Sequence, residues 1–167
     1  MTLRVSGKNM SVGDALREKA QGHFDAVVGK YFDGGYEAGG YKCAYVQNAT
    51  YRGNTSNANV QASGLWWDGE CVNITAERNE CDDNGRIGMH FETVNGATVR
   101  DNVLKRNGTA VPEFYFGAAV LLHNTHDALV YDNYCEDNRD GITAVEEDRV
   151  EKADGYTVHD TTIRDNT

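Results

Sequence analysis

With 167 residues, the chain has room for one ordinary domain, or for one short domain and an appendage. Residues 1–38 contain five of the 16 basic and five of the 26 acidic residues, so the net charge of −10 lies in the remainder. A nucleic-acid backbone is disfavoured as a partner of that remainder, because phosphate contacts need clustered cations. No run of about 18 apolar residues occurs, so we expect no membrane span and no membrane partner.

The first 38 residues combine a short strand with one helix. Leu3 and Val5 alternate with polar residues, which predicts the strand. Ser11 is a suitable N-cap, and apolar residues then recur at helical spacing as far as Tyr31, which predicts an amphipathic helix. One strand and one helix bury too little surface to fold alone, so we expect this segment to be a cap on the next one or a fusion to it.

Within this segment, the stretches MTLRVSGKNMSVGDALREKA and VVGKYFDGGYEA resemble the start of the ribosome hibernation promoting factor family. The resemblance covers that family's first strand and first helix, and it stops at residue 38. It implies a βαβββα domain that binds the small ribosomal subunit, but the later strands and second helix of that domain have no counterpart here. A fragment of a ribosome-associated hibernation factor is therefore one alternative for the function.

The sequence from residue 39 to residue 167 is repetitive. Pairs of Asn residues with four residues between them recur at steps of 25, 23, 31 and 28 residues. The pairs are Asn54/Asn59, Asn79/Asn84, Asn102/Asn107 and Asn133/Asn138, with a degenerate fifth at Thr161/Asn166. Such periods are typical of solenoids. Asn tolerates left-handed backbone and bonds to turns, so we expect these residues to mark the corners of stacked coils and to form ladders between them.

Two strands per repeat follow from alternation of apolar and polar residues around each pair. Before the first Asn, one column is apolar and the next is polar, so the first should point inward and the second should face solvent. The inward column is Tyr51, Ala76, Val99, Val130 and Val158, and the outward one is Arg52, Glu77, Arg100, Tyr131 and His159. In the second strand the inward columns are Leu65, Met89, Val120 and Ile142, and Trp67, Phe91, Leu122 and Ala144. The longest step contains an insertion, Thr109 to Phe116, which predicts a protruding loop.

This pattern predicts a mainly β fold, a right-handed parallel β-helix of about five coils. The segments GLWWDGECVNITAERNECDDNG, GMHFETVNGATVRDN and DGITAVEEDR resemble repeat proteins of the pectate-lyase-like superfamily. The resemblance covers about residues 45–167. It implies the fold but no single chemistry, because lyases, hydrolases, epimerases, adhesins and inert modules share it.

The four cysteines lack the spacing of a zinc site. Cys81 and Cys135 share an inward column but lie two coils apart, which is about 9.6 Å and too far for a disulfide. We therefore expect both to be core thiols. Cys43 and Cys71 lie in adjacent coils, and the sequence leaves their redox state open.

The outward positions of the second strands carry the candidate site. Asp68, His90, Glu92 and His123 should meet on one exposed patch, because level positions on adjacent strands lie about 5 Å apart. Two carboxylates and two imidazoles can exchange protons near neutrality, so these four are the candidate catalytic residues. An exposed Trp66 would stack on a sugar, and Arg149 would neutralise a uronate. The four residues are also suitable ligand types for a divalent ion, but they follow no ligand spacing rule, and neither a metal nor a cofactor is predicted.

The leading interpretation is a carbohydrate-active β-helix that binds or cleaves a polysaccharide on its sheet face, as a lyase, a glycoside hydrolase or a binder. The alternatives are a non-catalytic scaffold and the ribosome-associated fragment. No secretory signal opens the sequence, which favours the cytoplasm, whereas the β-helix resemblance implies secretion. The last repeat has no cap after it, which predicts end-to-end self-association.

Overall fold

A computed structural model describes residues 40–110, 115–148 and 157–167. The predicted N-terminal strand and amphipathic helix therefore lie outside the described residues, as does Arg149. All described residues belong to one unit of the chain, Ala38–Thr167. This described part contains no helix that is long and apolar enough to cross a membrane.

The described residues form three parallel sheets, with neighbouring strands taken from successive coils. Sheet 1 contains β1 (Tyr41–Ala44), β3 (Leu65–Asp68), β6 (Met89–Glu92), β9 (Ala118–His123) and β12 (Asp140–Val145). Sheet 2 contains β2 (Gln47–Arg52), β4 (Val72–Glu77), β7 (Asn95–Arg100), β10 (His126–Tyr131) and β13 (Thr162–Arg164). Sheet 3 contains β5 (Glu80–Asp82), β8 (Val103–Lys105) and β11 (Tyr134–Glu136). The chain passes through the three sheets in turn, so the predicted parallel β-helix is confirmed, but three of its coils have a third strand where two strands per repeat were predicted.

The core lies between the sheets and combines the predicted inward columns of sheet 1 with residues of sheets 2 and 3, such as Val99 and Leu104. Met89 pairs in register with Leu65 and Val120, and Phe91 pairs with Trp67 and Leu122. The rings of Trp67 and Phe91 stack with centroids 4.4 Å apart. Because the side-chain period of a strand is two residues, one register places every second residue of each strand on the core side. Ala144 of β12 lies in this column, in register with Leu122, but it is exposed in the last coil.

Two Asn ladders connect successive coils, as predicted, and the second ends at Asn138. In the first, the Nδ2 atoms of Asn54, Asn79, Asn102 and Asn133 each donate to the Oδ1 atom of the Asn in the next coil, over 2.9–3.0 Å. In the second, Asn59, Asn84 and Asn107 donate in the same way over 2.6–2.9 Å. Each interior Nδ2 also donates to a main-chain carbonyl of the preceding coil, such as Ala76 O from Asn102. The buried amides are therefore well bonded, as buried polar groups must be.

The left-handed backbone at each corner is adopted by the residue before the Asn, and not by the Asn as expected. In the first ladder these residues have φ of 52–65° and are Gly53, Arg78, Asp101, Asp132 and Asp165. The Asn side chain instead supplies the hydrogen bonds that hold the corner. Asp is among the residues that tolerate this backbone region, which accounts for three of the five positions.

The predicted register of the last repeat is wrong. Asn133 bonds to Asn166, and Val130 pairs with Ile163, so Asn166 continues the first ladder at a step of 33 residues. The predicted step of 28 residues had treated Asn166 as a second-ladder residue and Val158 as a core residue. The error arises because the connection between β12 and β13 is longer than the other connections, and Asn166 by itself fits either ladder.

Glu77 is also placed differently from the prediction. Its column does face outward, in register with Arg52 and Arg100, yet Glu77 is only 1 % exposed. The guanidinium groups of Arg52 and Arg100 both contact its carboxylate and cover it. Although burial raises the pKa of Glu77, the hydrogen bond and charge of Arg52 and the charge of Arg100 outweigh this and lower it.

All four cysteines are free thiols. Cys81 and Cys135 both pair in register with Leu104, which separates them by two coils, so the prediction that they form no disulfide is confirmed. Burial raises the pKa of the Cys81 thiol and raises that of Cys135 to about 11. Burial also raises the pKa of Cys71 to about 11.

Candidate functional site

The outward side chains of sheet 1 form two columns in the predicted register. Trp66 lies level with His90, and His90 lies level with Leu121. In the second column Glu92 lies level with His123. The strands fix these positions because outward residues alternate with the apolar core residues.

The site is covered, which corrects the expectation of an exposed patch. His90 is 3 % exposed, His123 is 2 % exposed, and Trp66 is 7 % exposed and so is not an open sugar-stacking platform. Lys42 places its Nζ atom 3.4 Å from the centroid of the Trp66 ring, and the His90 ring stacks on Trp66 at 4.8 Å. Both neighbours come from adjacent coils of the same sheet, so the indole lies between them.

The end of the predicted loop insertion contributes to this cover. The rings of Tyr115 and Phe116 lie 6.5 and 6.3 Å from the ring of His123. Phe116 also receives the Arg86 guanidinium over its face at 4.8 Å, and both aromatic residues pack with Ile87 and Leu121. This end of the insertion therefore lies against sheet 1. Residues 111–114 lie outside the described residues.

Glu92 is the centre of the cluster. Trp66 Nε1 donates to its Oε2 atom over 3.1 Å. His90 Nε2 lies 3.9 Å from the same oxygen, and His123 Nδ1 lies 3.9 Å from Oε1. One ligand-type atom from each of His90, Glu92 and His123 falls within 4.8 Å of the others. The structure thus brings together three of the four predicted catalytic residues.

Asp68, the fourth predicted residue, is engaged elsewhere. Its Oδ2 atom forms an ion pair with Lys42 Nζ at 2.8 Å, and its Oδ1 atom accepts a hydrogen bond from the Gly69 amide. Asp68 is not a member of the close group formed by the other three. Its carboxylate holds the lysine that covers Trp66, which is a supporting role.

Glu147 was missed by the sequence reasoning. Its Oε2 atom lies 3.1 Å from His123 Nε2, and its Oε1 atom accepts a hydrogen bond from Tyr115 Oη over 3.0 Å. Reciprocal bonds with Asn124 fix its backbone. A signal was present, because Thr143, Val145 and Glu147 continue one outward alternation beyond the end of β12.

A connected set of polar groups results, which we call the His123 chain: Glu92, His123, Glu147 and Tyr115. Glu92 is 13 % exposed at the side chain and Glu147 is 41 % exposed, so the chain leads from a covered carboxylate to an accessible one. Burial, followed by the hydrogen bond to Glu147, raises the pKa of Tyr115 and keeps it a proton donor. Such a set can relay a proton, and its imidazole and carboxylates are also suitable metal ligands.

Comparison with known proteins identifies two different regions. A family model described as "Right handed beta helix region" matches residues 39–167. The N-terminus is 56 % identical over 36 residues to the ribosome hibernation promotion factor of Bradyrhizobium diazoefficiens, a match that covers 22 % of this chain and 18 % of that protein. The corresponding protein of Rhizobium meliloti is 47 % identical over 38 residues, which cover 23 % of this chain and 20 % of that protein. The chain spans at most a fifth of the length of these curated relatives. No solved structure matches it.

Proposed function

The chain belongs to the right-handed β-helix family, and from that premise we propose that it binds or cleaves a polysaccharide at the outward face of sheet 1. The fold alone carries no chemistry, since many unrelated activities share it. The observation that supports the proposal is the His123 chain, in which one imidazole has a carboxylate at each ring nitrogen.

Cleavage of a glycosidic linkage needs positioned groups that can give and take protons. Glycoside hydrolysis ordinarily uses two carboxyl groups, one as acid and one as base or nucleophile, and β-elimination uses one group to remove a proton beside a carboxylate. Glu92 and Glu147 are the two carboxylates here, and His123 lies between them. In this proposal Glu147 exchanges protons with the substrate at the accessible end, and His123 relays them between Glu147 and Glu92. Tyr115 holds Glu147 in place through its hydrogen bond.

Access to the site determines which residues touch the sugar. Trp66 is covered by Lys42 and His90, so the exposed parts of the face are the Lys42–Asp68 pair on one side and Glu147 on the other. Substrate would contact these groups first. The acidic composition of the chain favours a neutral polysaccharide, or an acidic one bridged by cations, because bare carboxylates repel one another.

A screen of the purified full chain against a panel of neutral and acidic polysaccharides tests this function. Binding is read by affinity electrophoresis, and cleavage by new reducing ends and by the ultraviolet absorbance of unsaturated uronates. We expect Glu147→Gln to weaken binding or cleavage and Glu136→Gln, an exposed carboxylate of sheet 3 paired with Lys105, to leave both unchanged. Absence of both binding and cleavage across the panel would favour the non-catalytic scaffold.

Association with the ribosome is the second candidate function, and it is supported only by the N-terminal similarity to hibernation promotion factors. It is tested by co-sedimentation of the full chain with ribosomal subunits, with a deletion of residues 1–38 as the matched control. Co-sedimentation that depends on those residues would support it, and its absence in the full chain would exclude it.

A further inference from the structure

We propose that His90, Glu92 and His123 bind a divalent first-row transition-metal ion, for which Zn²⁺ is the best match. The three residues come from two adjacent strands of sheet 1, β6 and β9, and each offers one ligand atom within 4.8 Å of the others. Two imidazoles and one carboxylate are a common ligand set of zinc sites that keep a fourth position open.

The dimensions of the cluster suit an ion after a small closure. Three points no more than 4.8 Å apart have a central position at most about 2.8 Å from each, and ligand distances to zinc are about 2.0–2.2 Å. Each side chain therefore has to move by less than about 1 Å. The His90 and His123 rings are stacked, with centroids 5.7 Å apart and planes 8° from parallel. One ring must consequently turn about its Cβ–Cγ bond to point its lone pair at the ion.

The residues around the cluster orient it as they would orient metal ligands. A metal-bound imidazole almost always donates its other N–H to a carboxylate, a carbonyl or water. Glu147 lies 3.1 Å from His123 Nε2, which favours the tautomer whose Nδ1 lone pair is directed towards Glu92. Trp66 holds the Glu92 carboxylate through a second hydrogen bond of this supporting kind.

Electrostatics favours a cation at the centre. With its proton on Nε2, His123 presents a lone pair to a carboxylate, two electron-rich groups separated by 3.9 Å. That separation is longer than a hydrogen bond between these atoms and wide enough for an ion to lie between them. A divalent cation at this position would be attracted by the carboxylate charge and would accept the imidazole lone pair.

The ligand types also predict selectivity. Ca²⁺ and Mg²⁺ prefer sites made of oxygen atoms, whereas imidazole nitrogen favours zinc, copper, nickel or iron. Any part that the ion plays in polysaccharide cleavage rests on the proposed function, but its binding does not. The two proposals can therefore fail separately.

The test is a titration of Zn²⁺ into the metal-stripped full chain, by calorimetry and by equilibrium dialysis. We expect one ion per chain, with Ca²⁺ unable to displace it. We expect His90→Ala and Glu92→Gln to lose binding and Glu147→Gln to weaken it about 10–100-fold. The matched control is His159→Ala, because that exposed histidine of another face pairs with Asp160 and stacks on His126.

Circular dichroism identifies variants that remain folded, and Glu92→Gln preserves side-chain shape if His90→Ala does not fold. Less than one bound Zn²⁺ per chain at saturation would overturn the proposal. Equal affinity of the wild type and a folded Glu92→Gln would do the same, as would loss of binding in His159→Ala alone. Zinc binding without any polysaccharide binding would support the metal site while removing the proposed function.

Discussion

Replacing Asn102 by Ala tests whether the Asn ladders stabilise the fold. The Asn102 side chain makes four hydrogen bonds: its Oδ1 atom accepts from Asn79 N and Nδ2, and its Nδ2 atom donates to Ala76 O and Asn133 Oδ1. At about 1 kcal/mol for each bond, the free energy of unfolding should fall by about 4 kcal/mol. That is a large part of the about 5–15 kcal/mol by which folded domains are usually stable.

The measurement is equilibrium unfolding in urea, where a slope of about 2 kcal/mol per molar converts this loss to a midpoint about 2 M lower. The matched control is Asn54→Ala at the exposed end of the same ladder, where the side chain makes one described bond, to Asn79 Oδ1. We expect the control to lose at most about 1 kcal/mol.

Asn102→Asp separates bonding from packing in the same experiment. It preserves the shape of the side chain and both acceptor contacts, but its carboxylate cannot donate to Ala76 O or Asn133 Oδ1 and would repel them. It should therefore destabilise at least as much as Asn102→Ala. If Asn102→Ala and Asn54→Ala were equally destabilised, or if Asn102→Asp were as stable as the wild type, the hydrogen-bond explanation would be refuted.

Three further predictions follow from other parts of the structure. Arg52 and Arg100 lower the pKa of Glu77 in the folded protein. The contribution of Glu77 to stability is therefore present above the unfolded-state pKa of about 4.3, and it is lost as the pH falls through the lower folded-state pKa. The pH dependence of urea unfolding below about pH 4 should consequently weaken in Glu77→Gln. An unchanged acid profile in a folded Glu77→Gln would contradict this. Cys81 should resist iodoacetamide in the native protein, because the thiol is buried and its pKa is raised, and it should react after unfolding. Mass spectrometry of the modified peptide measures the labelling, and rapid labelling of the native protein would contradict the prediction. Finally, Lys42→Ala should increase quenching of tryptophan fluorescence by acrylamide, since Lys42 covers Trp66 while Trp67 is buried in the core; unchanged quenching would mean that other groups provide the cover.

The repeat could be predicted from sequence because its determinants are local. Apolar residues at alternate positions around each Asn pair set the register, and Leu65, Met89 and Val120 lie in the predicted column. The predicted register was wrong at Asn166, because the connecting segment before it is longer and a single Asn fits either ladder. The positive φ at each corner was also assigned to the wrong residue. The Asn makes the hydrogen bonds, whereas the residue before it adopts the left-handed backbone.

The candidate site was harder to predict because burial depends on residues distant in sequence. The alternation of apolar and polar residues along the strands correctly placed His90, Glu92 and His123 on the outward face of sheet 1. It could not show that Lys42 would lie over Trp66, or that Tyr115 and Phe116 would approach His123. Asp68 illustrates the same limit, because its lysine partner lies one coil earlier and competes with the predicted cluster for its carboxylate.

The Asn corners divide the molecule into a part that must stay constant and a part that can change. First-ladder steps vary from 23 to 33 residues, yet the ladder is continuous through Asn54, Asn102 and Asn166. The extra residues are accommodated where the chain enters sheet 1, before β9, and where it leaves sheet 1, after β12. Coils can therefore differ in length without shifting their neighbours. Insertions and deletions in these segments can change the surroundings of His123 without changing how the coils stack.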